Sequence, residues 1–224
     1  MPDATLLPDP AWPERIGRRV GTLWPIKMLA NIAGVAGFFA VYFWVQRLPH
    51  AAAIVMPLTA LDRWLPFQPA ALALYASLWV YIALPFALLR TRGELVAYGI
   101  AAFALSAIAM TAFVVWPTAV PQVDIDWSQY PAFEFLRTVD AQSNACPSLH
   151  VAFAVFSALW LARLLRETRA GSGLRGLNAL WCAGILYSTL ATRQHVVLDV
   201  VAGAALGGVV AALHMHRMRP CSKV

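Results

Sequence analysis

His150 closes the string Cys-Pro-Ser-Leu-His over residues 146–150, and His195 opens His-Val-Val-Leu-Asp over 195–199. Two imidazoles and the carboxylate of Asp199 thus sit near the ends of apolar segments, where desolvating an ionisable group is costly and a functional role is the default reading. Two histidines on separate helices at the same depth suit phosphoryl chemistry, in which one imidazole attacks phosphorus and the other protonates the departing oxygen. Asp199 follows His195 by one helical turn, so its carboxylate can hold the ring N–H, fix the tautomer and stabilise the cation that forms. Pro147 suits a first helical position, which would leave backbone N–H groups at a helix start for an anion, and Ser148 can add its hydroxyl. Arg193, two residues before His195, suits a phosphate clamp. Arg137, ahead of the Pro-Ser-Leu-His string, is a second cation of that kind. Taken singly, each has a plainer role: Ser148 as a helix cap, Arg193 or Arg137 as an interfacial anchor, each histidine as a structural residue. Cys146 can be read as a nucleophile, but no activating base lies near it in sequence, and small packing residue is its plainer role.

The elements that must position these residues are membrane helices. The 224-residue chain is 60% apolar and only 12% charged, with a positive mean hydropathy, which leaves too little polar surface to cover a soluble core. Segments of roughly 20 apolar residues can cross the hydrocarbon layer. Six are read, near 25–46, 69–89, 95–116, 148–165, 177–192 and 196–214, the fifth short and partly polar. The expected fold class is therefore all-α: a polytopic membrane helical bundle of about six transmembrane helices, with both termini cytoplasmic. Its expected parts are a cytoplasmic segment over 1–23, the membrane domain over 24–216 with an external loop over 117–147, and a cytoplasmic tail over 217–224. Gly203, Ala204, Gly207 and Gly208 give the last span a small-residue face for close helix approach. Trp64, Trp79, Trp116 and Trp127 read as an interfacial belt.

Orientation follows from the basic residues, which concentrate on the cytoplasmic side. Placing the N-terminus inside leaves only Arg47, Arg63, Arg137 and Arg193 of the 17 Lys and Arg outside. The outer loop then carries Asp124, Asp126, Glu134 and Asp140, and both histidines fall at the outer face, where they can meet. The net charge of +6 is spread along helix ends rather than gathered into a patch with interleaved aromatics, so an anionic leaflet is the expected partner and nucleic acid is not. No cleavable secretory signal is expected, because the first apolar run is preceded by a polar, Pro-rich stretch and is too long for one. The three cysteines, Cys146, Cys182 and Cys221, fall at different depths and give no disulfide framework. His214 and His216 fall at the cytoplasmic end, remote from the trio, and are expected to be solvated.

The strings Ser-Asn-Ala-Cys-Pro-Ser-Leu-His-Val-Ala-Phe (143–153) and Ser-Thr-Leu-Ala-Thr-Arg-Gln-His-Val-Val-Leu-Asp-Val-Val-Ala-Gly (188–203) resemble the last two motifs of the type 2 phosphatidic acid phosphatase superfamily. Leu149 before the first histidine, Leu-Asp-Arg-Trp-Leu-Pro-Phe-Gln-Pro (61–69) followed by Tyr75, and Val-Val-Trp-Pro-Thr-Ala-Val-Pro (114–121) are similar to the branch containing inositol phosphorylceramide synthases. The resemblance covers about residues 60–207. It implies a six-helix bundle, a lipid phosphate substrate, no metal or other cofactor, and a phosphohistidine on His195 with His150 as general acid and Asp199 orienting His195. The chain departs from the family at the first motif, whose Lys and Arg are not recognisable; no Lys or Arg occurs from 93 to 136. Gln122 stands where the related branch tends to have Arg, and Ser188-Thr189 where many members have Ser-Arg. The expected activity is hydrolysis of a lipid phosphate or pyrophosphate, with headgroup phosphotransfer at the same site as the alternative. A helical bundle without eukaryote-style tails or retention signals is compatible with a bacterial inner membrane, with the site then expected to face the periplasm. Two other classes stay open on the residues alone: a transporter with a His/Asp proton relay, and a protein binding metal through two histidines and a carboxylate.

Overall fold

The computed structural model describes residues 10–48, 51–139 and 144–217. Helices make up 75% of the described residues. The strands among the described residues are two residues each, so the chain is an all-α bundle as its apolar runs predict.

Helix α1 (Trp12–Gly21) is short and strongly amphipathic. After a turn through Leu23, in the left-handed region at φ 57°, the chain enters α2 (Trp24–Gln46). Lys27, one of the two buried residues of α2, donates from Nζ to the carbonyls of Arg19 (2.6 Å) and Ala87 (2.7 Å). Strand β1 (Ile54–Val55) and the five-residue α3 (Ala60–Trp64) follow. Thr59 and Asp62 form a capping box at the start of α3, in which the Thr59 side chain accepts from the Asp62 N–H and the Asp62 carboxylate accepts from the Thr59 N–H.

The expected second span is one apolar run in sequence but not one regular helix. A 3-10 turn at Pro69–Ala71 leads into α4 (Leu72–Ala76), and α5 (Leu78–Ala87) begins after a break at Ser77. Ser77 Oγ donates to the Leu74 carbonyl (2.6 Å) and accepts from Trp181 Nε1 (2.9 Å). A hydroxyl bonded back to its own helix competes with the backbone ladder at such a bend. Helix α6 (Arg92–Val115) starts with a second capping box, Thr91 with Glu94. Strand β2 (Thr118–Ala119) pairs with β1 in parallel, and Thr118 bridges to Asn144. The segment expected as an external loop over 117–147 therefore holds structure of its own, including α7 (Pro131–Val139). Phe67 anchors that segment, with its ring 5.3–5.5 Å from Trp127, Tyr130 and Phe133. Asp140 of the expected acidic loop lies outside the described residues.

Helix α8 (Leu149–Glu167) is the centre of the bundle, with α5, α9 (Ser172–Ala191) and α10 (Val197–Arg217) packed around it. Ala152, Ala154, Phe156 and Trp160 of α8 are buried among Tyr81, Leu105 and Ile185. Among the described residues, five helical stretches are long and apolar enough to cross a membrane: Trp24–Gln46, Pro69–Ala87, Arg92–Val115, Leu149–Glu167 and Val197–His216. The fifth expected span, 177–192, corresponds to α9, which is helical from Ser172 to Ala191 but too polar to meet that standard. Its first turns carry Ser172, Arg175 and Asn178, and Asn178 is satisfied within the bundle, accepting from Tyr81 Oη (2.6 Å) and donating to the Ala158 carbonyl (3.0 Å). Of the small residues in α10, Gly203 and Gly207 face α8 so closely that a Cβ would overlap the carbonyl oxygens of Ser148 and Ala152, whereas Gly208 faces open space. His214, expected to be solvated, is half-buried with its ring 5.6 Å from Trp160.

Candidate active site

His195 stands in the turn between α9 and α10, and backbone geometry sets that turn. The N–H of Arg193 bonds the Leu190 carbonyl (3.0 Å) and the N–H of Gln194 bonds that of Thr189 (3.2 Å), the paired bonds of a Schellman helix end. That motif needs a left-handed residue, usually glycine, and Arg193 fills it at φ 59°. Its guanidinium donates to the carbonyls of Asp62 (2.7 Å) and Leu65 (2.5 Å), which offsets the conformational cost of ~1–2 kcal/mol for a side-chain-bearing residue there.

Helix α10 starts immediately after. Asp199 Oδ1 accepts from the Val196 N–H (2.8 Å), and Asp62 Oδ1 accepts from the Val197 N–H (2.9 Å). Two carboxylates thus satisfy N–H groups that a helix start leaves without partners, at the positive end of the helix dipole. The second oxygen of Asp199, Oδ2, lies 3.0 Å from His195 Nδ1. Asp199 is fully buried. With Nδ1–H donated to the carboxylate, the neutral ring carries its lone pair on Nε2.

His150 comes from the start of α8. Ser148 caps this helix, its buried Oγ accepting from the Val151 N–H (3.2 Å), while its own N–H donates to the Asp199 carbonyl (3.1 Å). The close approach at Gly203 and Gly207 holds the first turns of α8 and α10 together, and with them the two histidines. His150 Nε2–H donates to the Tyr75 carbonyl (3.0 Å), and the imidazole lies flat on the Tyr75 ring, with centroids 3.9 Å apart and planes 13° from parallel. The break at Ser77 takes the Tyr75 carbonyl out of a regular helical ladder and leaves it aimed at the ring. One element thus supplies both the stacking face and the acceptor.

His150 and His195 line one cavity of about 1020 Å³ together with Tyr75 and Asn144. The rest of its lining is mostly apolar and comes chiefly from α2, α5 and α6, with Leu136 of α7 and Leu149 and Phe153 of α8. On α6 it runs from Tyr98 to Val115, which at 1.5 Å per residue is ~25 Å of depth. Its far wall is α2, of which only Lys27 and Val45 are buried.

The expected trio is therefore brought together, and the expected anion ligands are not all free for that work. Ser148 is spent as a cap beneath α10. Two of the five guanidinium N–H donors of Arg193 are spent on backbone carbonyls. The side chain of Arg137 lies outside the described residues. Pro147, expected at the first helical position, instead precedes the cap, because Ser148 holds the cap position itself. Burial, reinforced by the Asp199 carboxylate, pushes the Cys146 thiol up from its ordinary value, which disfavours the thiolate a nucleophile requires. Among the described residues no three His, Cys, Asp or Glu side chains gather as a group that could hold a metal ion. Asp62 and the Tyr75 carbonyl, which do much of the positioning, were not among the expected site residues; the Thr-x-x-Asp pattern at 59–62 was the available signal for the first.

No curated protein and no solved structure matches the chain significantly. A family model described as the PAP2 superfamily matches residues 93–222, more than half of the chain, and takes in both histidines and Asp199. This membrane helical bundle belongs to the PAP2 superfamily, whose members are phosphatases or phosphotransferases acting on phosphoric esters.

Proposed function

We propose that this protein hydrolyses a lipid phosphate or pyrophosphate through a phosphohistidine on His195. The observation that carries the reading is that His150 and His195, the latter backed by the buried Asp199, line a deep apolar cavity whose far wall is the lightly buried helix α2. A phosphorylated headgroup belongs at the histidine end and an acyl or prenyl tail along α2 and α6. His195 Nε2 attacks phosphorus and the bond from phosphorus to the leaving oxygen breaks. His150 enters this step as the imidazolium, its Nε2–H held by the Tyr75 carbonyl, and delivers its Nδ1 proton to that oxygen, leaving Nδ1 free as the acceptor for the next step. Water then attacks the phosphohistidine, His150 takes the proton from it, the P–N bond breaks and inorganic phosphate leaves. Asp199 stabilises the imidazolium character that develops on His195 in both steps. With the basic residues placed inside, this chemistry takes place at the outer face, and a bacterial inner membrane would put it on the periplasmic side.

The same site supports phosphotransfer if an alcohol replaces water, as in the inositol phosphorylceramide synthase-like branch. Hydrolysis is favoured because the sequence carries no recognisable sugar or inositol site, whereas a polyol acceptor needs several convergent hydrogen-bonding groups. The deciding experiment is phosphate release from a panel of lipid phosphates and pyrophosphates by purified protein in detergent with EDTA, beside His195→Ala. Release by the parent and a loss of more than about a hundredfold in the variant are expected. Restoration by zinc after chelation would overturn the metal-free mechanism. Movement of intact labelled lipid without chemical change would point to a transporter.

A further inference from the structure

The turn that carries His195 is gripped from outside the motifs that define the site. Asp62 is only 4% exposed and lies more than 130 residues earlier in the chain. Its Oδ1 accepts the Val197 N–H (2.9 Å), and its Oδ2 accepts both the N–H and the hydroxyl of Thr59 (2.7 Å each). Its carbonyl accepts one arm of Arg193, while the Leu65 carbonyl accepts the other. The Gln68 N–H adds a bond to the Ala191 carbonyl (2.8 Å). Residues 59–68 therefore hold the turn on both sides of His195: at Ala191 and Arg193 before it, and at Val197 after it.

A helix cap needs one acceptor, and a carboxylate buried to this degree needs every lone pair accounted for. Asp62 meets both demands by joining two elements, α3 and α10, through one side chain. The ring of His195 is fixed at Nδ1 by Asp199, but the backbone that carries the ring is fixed by Asp62 and Arg193. We propose that Asp62 is a positioning residue for the reaction, acting through the Val197 N–H and the Arg193 guanidinium to set where His195 Nε2 meets phosphorus. The proposal rests on the phosphohistidine reading for its catalytic consequence. A displacement of ~1 Å at a reacting group can cost on the order of a hundredfold in rate, so the clasp acts on turnover far more than on substrate affinity, which the cavity supplies.

The test compares Asp62→Ala with Thr59→Val in the full chain in detergent. Thr59→Val removes the hydroxyl that bonds Asp62 within α3 but leaves the bond from Asp62 to Val197. Two readouts are taken: hydrogen exchange of peptides covering 58–66 and 192–200, and kcat and KM for phosphate release, with thermal unfolding as the control for folding. In Asp62→Ala, exchange in 192–200 should rise about tenfold or more, kcat should fall ~10–100-fold, and KM should stay within about threefold. In Thr59→Val, exchange should rise in 58–66 alone, and kcat should stay within about threefold of the parent. Equal effects of the two variants on kcat, at similar thermal stability, would reduce Asp62 to a local cap and overturn the proposal. So would unchanged exchange over 192–200 in Asp62→Ala. Retention of activity by His195→Ala would instead sink the phosphohistidine reading, and the exchange measurement would still decide whether the clasp exists.

Discussion

Asp199 has both carboxylate oxygens in use, one on His195 Nδ1 and one on the Val196 N–H, so its two roles can be separated by substitution. Asp199→Asn keeps an acceptor for one partner but confronts the other with an amide N–H and removes the charge that steadies an imidazolium. Turnover should fall by about a hundredfold or more, as when a buried carboxylate behind a reacting histidine is neutralised. The bundle should still unfold cooperatively, and steady-state kinetics beside thermal unfolding check both statements. Cys146 gives a prediction of the opposite kind. Because burial and Asp199 raise its pKa, its thiolate fraction at neutral pH is below that of an ordinary cysteine and recovers only as the pH rises. Iodoacetamide should label Cys146 in the native protein more slowly than in the unfolded chain at about pH 7–8, and Cys146→Ser should keep its activity. Rapid labelling at neutral pH with loss of turnover would restore the cysteine as a candidate nucleophile.

At the scale of elements, the meeting of α8 and α10 sets the geometry, and its glycines allow a controlled comparison. Gly203→Ala or Gly207→Ala drives a methyl group into a backbone carbonyl, and overpacking of this kind costs about 1–3 kcal/mol. Both variants should melt earlier and turn over more slowly, whereas Gly208→Ala, facing open space, should be neutral or slightly stabilising. This helix face was legible in the sequence because small residues one turn apart have few other uses in a membrane span. The trio was legible for a related reason, since ionisable residues stand out against apolar surroundings. Other features were hidden by their own mechanism. The break at Ser77 lies inside an uninterrupted apolar run, and hydropathy is blind to a hydroxyl that bends a helix. The early start of α9 is masked by Ser172, Arg175 and Asn178, which are polar yet satisfied or exposed. Arg193 reads as a phosphate ligand by proximity in sequence, but its left-handed backbone and its acceptors on Asp62 and Leu65 are facts of three dimensions. Asp62 is joined to the site only through space.

For the molecule as a whole, the depth of the cavity relates the protein to the thickness of its membrane. Some 25 Å of lining along α6 passes well beyond one half of a hydrocarbon core about 30 Å thick. If a tail occupies that depth, lipid phosphates with long tails should show higher kcat/KM than short-chain analogues carrying the same headgroup. A flat dependence on tail length in mixed micelles would count against tail binding in the cavity. The lightly buried wall formed by α2 has a further consequence. A site that fills from the side samples its substrate in two dimensions, so half-saturation is set by the fraction of surrounding amphiphile that is substrate, not by moles per litre. Adding inert detergent at constant substrate would then slow the enzyme, and the neighbouring lipids act as competing solvent for the very cleft in which the reaction occurs.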